Sequence, residues 1–182
     1  MRQLRYCVAH PLTGRYTNWE NMNNIQKFDE LVAMLLAHLY ENFPRRTEID
    51  AFEFLGIDFE HRSFLDDNEG YEAYTNECLE ADFLLDTALW LIDSGFLYGK
   101  IENEMAGFYT SKKCIDLTLS PKGLELLKLV PSSLEVSQNL GDKLVDTINQ
   151  GAKDAGSKLV SEALTRFGSV NQLMNLFSNL GG

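Results

Sequence analysis

No lysine or arginine occurs between Ser63 and Gly99, although that stretch carries nine acidic residues. A surface built from it repels duplex phosphates at long range and releases no counterions, so it gives nucleic-acid binding no electrostatic source. Cysteine is scarce too: Cys7, Cys78 and Cys114 are odd in number, scattered and without CxxC spacing. That excludes a disulfide framework and a thiolate metal site, and it fits a reducing cytoplasm. No apolar run approaches the roughly 20 residues that span a bilayer, and Met1-Arg2-Gln3-Leu4-Arg5 leads into polar sequence, so a soluble chain with no membrane span is expected. The signatures GxGxxG, GxxxxGKS/T, GxSxG and HExxH are all missing. His10, His38 and His61 lie far apart, and His38 falls beside core positions as a packed histidine does. Asp66, Asn68 and Glu77 match calcium-loop positions, but Tyr71 stands where that loop needs glycine. The paired carboxylates Asp66 and Asp67 have no partner base to tune them. The expectation is a non-enzyme with neither cofactor nor metal.

What is there is an uneven charge and a legible order of elements. Residues 1–62 hold seven basic and nine acidic side chains and residues 100–182 hold nine of each, so most of the net charge of −11 sits in the middle segment. Residues 1–24 read as an irregular arm with a short strand at Tyr6-Cys7-Val8-Ala9. Phe28, Leu31, Val32, Leu35, Leu36, Leu39 and Phe43 lie on one face of a 3.6-period helix that Pro44 ends. Thr47-Glu48-Ile49-Asp50 has the T-x-x-D form of a second helix start, with Ile49, Phe52 and Leu55 as its stripe and Gly56 as its stop. Residues 57–70 read as a loop, followed by a third helix that buries Leu79, Phe83, Leu85, Ala88, Leu89 and Ile92 and closes at Ser94-Gly95. Phe96-Leu97-Tyr98 and the alternating Ile115, Leu117 and Leu119 predict a hairpin with 100–107 as a long tip. Ser120-Pro121 then opens a helix with Leu124, Leu126, Leu127 and Val130 that Pro131 closes.

Helix, helix, helix, hairpin, helix is the order of a winged helix-turn-helix, and two stretches carry the likeness in wording. Ala88-Leu89-Trp90-Leu91-Ile92-Asp93-Ser94-Gly95-Phe96-Leu97 resembles the end of that domain's third helix running into its wing. Leu117-Thr118-Leu119-Ser120-Pro121-Lys122-Gly123 resembles the "L-T-x-K-G" exit from the wing in bacterial winged-helix regulators. The resemblance covers roughly residues 25–131 and implies a mainly helical fold with a small β-hairpin. It does not by itself imply function. DNA-reading members place the third helix in the major groove, whereas here that helix offers Glu72, Glu77, Glu80, Asp82 and Asp86. This set is expected to meet a protein partner with a basic surface. Lys100, Lys112, Lys113 and Lys122 lie on or beside the wing and support the alternative, a dimeric transcription regulator contacting DNA through wing lysines. DNA stands second to a protein partner, and a toxin-neutralising or phage-defence protein shares the same acidic surface.

After Pro131 aromatics nearly vanish while apolar residues recur at Leu140, Leu144, Ile148, Ala152, Ala155, Leu159, Ala163, Phe167 and Val170, steps of three or four that make one helical stripe. Gly141, Gly151 and Gly156 interrupt it, each costing about 0.5–1 kcal/mol relative to alanine, so the helix needs a surface to pack on. Packing on its own domain and association with a partner or a second copy through Leu140, Leu144, Ile148, Leu159 and Phe167 are both open from sequence. A membrane-surface role lacks a polybasic face. The organisation read from the chain is thus an arm over 1–24, a winged-helix-like domain over 25–131, and an amphipathic C-terminal extension over 132–182 acting as a regulatory or binding module.

Overall fold

The computed structural model describes residues 19, 22–57, 68–106, 109–128 and 139–180. The strand expected at Tyr6–Ala9, most of the 1–24 arm, the paired Asp66 and Asp67, and the helix stop at Pro131 lie outside them. The elements are α1 (Asn24–Asn42), β1 (Thr47–Asp50), α2 (Ala51–Phe54), α3 (Asn68–Asp93), β2 (Leu97–Ala106), β3 (Tyr109–Leu119), α4 (Pro121–Lys128), α5 (Leu140–Asn149) and α6 (Lys153–Leu180). The fold is mainly helical with a small antiparallel sheet, as expected. The sheet has three strands rather than two, in the order β1-β3-β2.

Helix α1 starts with a reciprocal cap: Gln26 N donates to the Asn23 side chain (3.0 Å), and Asn23 N donates to the Gln26 side chain (3.1 Å). It ends two residues before Pro44. Its burial is wider than one stripe, because every residue from Glu30 to Ala37 is buried. The face carrying Ala33, Met34 and Ala37 lies opposite the one the sequence singles out, and α1 touches α3 and β3 as well as α5 and α6. A helix apolar nearly all round is an interior helix.

The T-x-x-D segment is a strand, not a helix start. Thr47 Oγ1 donates to the carbonyl of Leu117 (3.2 Å), Ile49 pairs with Cys114, and the cap is Asp50, whose Oδ1 accepts from Phe52 N (3.0 Å) and Glu53 N (3.2 Å). An Asp one residue before the apolar Ala51-Phe52 serves a cap as well as Thr47 does, and four residues are too few for alternation to declare a strand. The hairpin is also longer than expected, since residues 100–106 pair with β3 instead of forming a tip. Polar Lys100, Glu102 and Asn103 disguised an edge strand, where charged side chains are usual.

The two stretches that carry the winged-helix likeness meet in space. Helix α3 closes with Gly95 at φ +76° and Phe96 N bonded to the Leu91 carbonyl (2.9 Å), and Ser120 reaches this turn twice, through its N to the Phe96 carbonyl (3.0 Å) and its Oγ to the Gly95 carbonyl (2.6 Å). Ser120 Oγ also accepts from Gly123 N (3.0 Å), as the predicted cap should. Lys122 Nζ donates to the Ser94 carbonyl (2.7 Å), placing a cation at the C-terminal end of α3.

The extension is two helices, not one. The break falls at Gly151, whose φ of +75° suits glycine, and it shifts the phase of the stripe: Leu140, Leu144 and Ile148 are buried on α5 and Val160 and Ala163 on α6, while Ala152 and Ala155 are exposed. Both helices pack on α1. Glycine permits the approach, since a Cβ on Gly141 would stand 2.6 Å from the Tyr40 ring and one on Gly156 would stand 2.9 Å from Ile148 Cδ1. Of the two packings open from sequence, the one on the chain's own core is present.

Candidate functional site

Helix α3 is held by an inner ridge of Ala81, Leu84, Leu85, Ala88 and Leu91, all at most 2% exposed. Steps of three and four put these on one side. Of the expected ridge, Leu85 and Ala88 are buried and Phe83 and Ile92 pack on the core, but Leu79 is 60% and Leu89 43% exposed, and Trp90 at 44% joins them. Asp86 and Asp93 are exposed on the same outward side.

The acidic set does not form one face. Glu72 lies in the N-terminal part of α3. Glu77, one turn before Ala81 and two before Leu84, falls on the inner ridge and is half-buried, as is Glu80 beside it. Asp82 is turned to the hairpin, where it accepts from Asn103 Nδ2 (3.1 Å) and pairs with the Lys112 ammonium. Only Asp86 of the five is exposed with its side chain described.

The four lysines expected beside the hairpin are mostly engaged within the chain. Lys112 is buried against Asp82. Lys113 Nζ donates to Glu48 (2.6 Å), a bond that raises its pKa above the ordinary lysine value. Lys122, besides capping α3, lies 4.2 Å from the centroid of Phe96 and 5.9 Å from that of Phe167. Lys100 is exposed. The tail positions are internal as well: Leu140, Leu144 and Ile148 are core, Phe167 is half-buried against Phe96 with centroids 5.8 Å apart, and half-buried Leu159 lines a shallow groove between α5 and α6 with Lys143, Lys158 and Glu162.

Sequence reasoning missed an aromatic junction. Trp90 meets Phe28 of α1 edge-to-face, with centroids 5.0 Å apart and planes at 89°, and stacks on Phe96 at 6.4 Å and 20°. The clue was Phe28 itself, which stands at the edge of the α1 stripe and is only partly covered. Ile25, one turn before it, is 69% exposed.

Burial pushes the Cys114 thiol up to about 12, so it holds almost no thiolate at neutral pH. His38, edge-on to Phe54 at 5.7 Å, has its pKa lowered by burial, with Glu41 opposing the shift. Glu30 and Lys153 face each other across α1 and α6 at 3.9 Å; burial raises the first pKa and lowers the second. No group of three His, Cys, Asp or Glu side chains among the described residues could hold a metal ion, and no described helix is long and apolar enough to cross a membrane.

No family model, curated protein or solved structure matches this chain.

Proposed function

We propose that this chain is a non-catalytic protein-binding or regulatory module of winged-helix-like organisation, whose working surface is the outward side of α3. One observation carries the reading: Leu79, Leu89 and Trp90 are exposed together with Asp86 and Asp93 on a helix that has no basic residue. Exposed large apolar side chains spread along one side of a helix mark a contact surface, and acid among them selects a basic protein. The DNA-binding alternative needs lysines directed at phosphates, and three of its four, Lys112, Lys113 and Lys122, already hold intrachain partners. The acidic third helix opposes that alternative as well. A toxin-neutralising or phage-defence role would use the same face and is distinguished by the identity of what is captured.

The test is capture from lysate by the immobilised chain at low and high salt, with genomic DNA as competitor, comparing the natural protein with the double variant Asp86→Lys, Asp93→Lys. A retained protein that salt releases, DNA does not displace and the double variant loses is the expected result. Retention of DNA instead would transfer the function to the wing.

A further inference from the structure

The seam where α3 passes α1 has a shape and a charge that narrow the partner further. Leu79, Asp86 and Trp90 follow one another at steps of seven and four, so they lie exposed along one outward side about 16 Å long, with half-buried Phe83, packed on the core, between Leu79 and Asp86. At its C-terminal end Trp90 is braced by Phe28 and Phe96 and stays 44% exposed, and Ile25 continues the apolar surface onto α1. Apolar surface thus runs along one helix and across to a second. That is the setting in which a third helix packs, because its own side chains repeat at the same steps of three and four.

The charge selects among occupants. Asp86 and Asp93 are exposed along that side and α3 has no lysine or arginine to offset them, while the nearby Lys122 is drawn over Phe96 and Phe167. A second copy would bring the same carboxylates, and anionic lipid or nucleic acid would bring phosphates, so each is repelled. A polycation without apolar residues would satisfy the acids and leave Trp90, Leu79 and Leu89 uncovered. We infer that the α1–α3 seam binds an amphipathic helix of another protein, with aliphatic anchors on one side flanked by lysine or arginine. This rests on the protein-binding reading above.

The experiment uses the full chain and a synthetic leucine–lysine peptide of about five turns with leucines at i, i+3, i+4 and i+7. Its controls are a scramble of equal charge that disperses the leucines and a version with glutamate for lysine. Binding is followed through the two tryptophan indole signals, Trp90 being half-exposed and Trp19 buried. The expected result is saturable binding of the helical peptide that shifts the Trp90 signal alone and weakens about tenfold in Leu79→Ser. It also weakens in Asp86→Lys and on raising salt from about 50 to about 500 mM. Leu79 is exposed, so its loss leaves the fold in place and isolates the contact. If the scramble binds equally well, the helix inference fails and the acidic-face reading stands. If neither basic peptide binds, the inference is overturned and lysate capture alone decides the reading. Binding that Leu79→Ser and Asp86→Lys leave unchanged overturns both.

Discussion

Gly123 shows how a single position can hold two distant segments together. A Cβ there would stand 2.2 Å from the Phe96 carbonyl oxygen, a backbone atom fixed by its bond from Ser120 N. Gly123→Ala must therefore push α4 off the α3 turn. Overpacking of this kind costs about 1–3 kcal/mol, and it outweighs the helix propensity that alanine gains, at most about 1 kcal/mol; a lowered urea midpoint with unchanged slope is the expected reading. His38 acts through protonation rather than volume. Because burial lowers its pKa from 6.5, the folded chain resists the proton that the unfolded chain takes up, so its contribution to stability is complete above pH 6.5 and declines as pH falls below that value. Glu30 has the opposite sign, since its raised pKa removes stability as pH rises past 4.5. The difference between the natural chain and His38→Gln isolates the histidine: the natural chain should lose stability relative to the variant as pH falls from 7 to 5. A constant gap across that range would mean His38 titrates as an exposed imidazole.

Elements were legible where their two sides differ and illegible where they do not. The first stripe of α1 could be read because its large aliphatic residues Leu31, Val32, Leu35, Leu36 and Leu39 recur at helical spacing; the second side is built from Ala33, Met34 and Ala37, too small or too unspecific to announce a partner. In α3 the residues from Phe83 to Ile92 are almost all apolar, so periodicity could not fix the phase, and packing chose the side with Ala81 and Ala88, whose small side chains let the neighbours close in. The difference matters for the site, because Leu79 and Leu89, expected on the buried side, face outward together with Trp90. The helix end at Ser94-Gly95 and the helix start at Ser120-Pro121 were legible, since caps depend on local chemistry. In the extension, the break at Gly151 is a conformational fact that a stripe of threes and fours conceals. Two glycines there have opposite predicted effects. Gly151→Ala should destabilise by about 1–2 kcal/mol, since its positive φ strains any Cβ although no atom lies near it. Gly168→Ala, within α6 and with nothing near its Cβ, should stabilise by about 0.5–1 kcal/mol. Thermal melts of the two variants would show shifts of opposite sign.

At the scale of the molecule, several acids and bases distant in sequence are matched within the chain: Asp82 of the acidic middle segment meets Lys112, and Glu48 and Glu30 of the first segment meet Lys113 and face Lys153. Asp86 and Asp93 on α3 are left exposed with no basic residue on that helix. The same closure decides what the C-terminal extension does. Leu140, Leu144, Ile148 and Val160 are each at most 5% exposed and cover the side of α1 that carries Ala33 and Ala37. At about 1.5–3 kcal/mol for each large aliphatic side chain, they contribute roughly 6–12 kcal/mol of burial, an upper figure comparable to the whole stability of an ordinary domain, about 5–15 kcal/mol. A chain ending after Lys128 should accordingly lose cooperative unfolding and bind a hydrophobic dye, with α1 exposed along its second side. Retention of a sharp thermal transition by that shortened chain would show instead that α1 to α4 suffice, and would return α5 and α6 to the surface as a docked and removable arm.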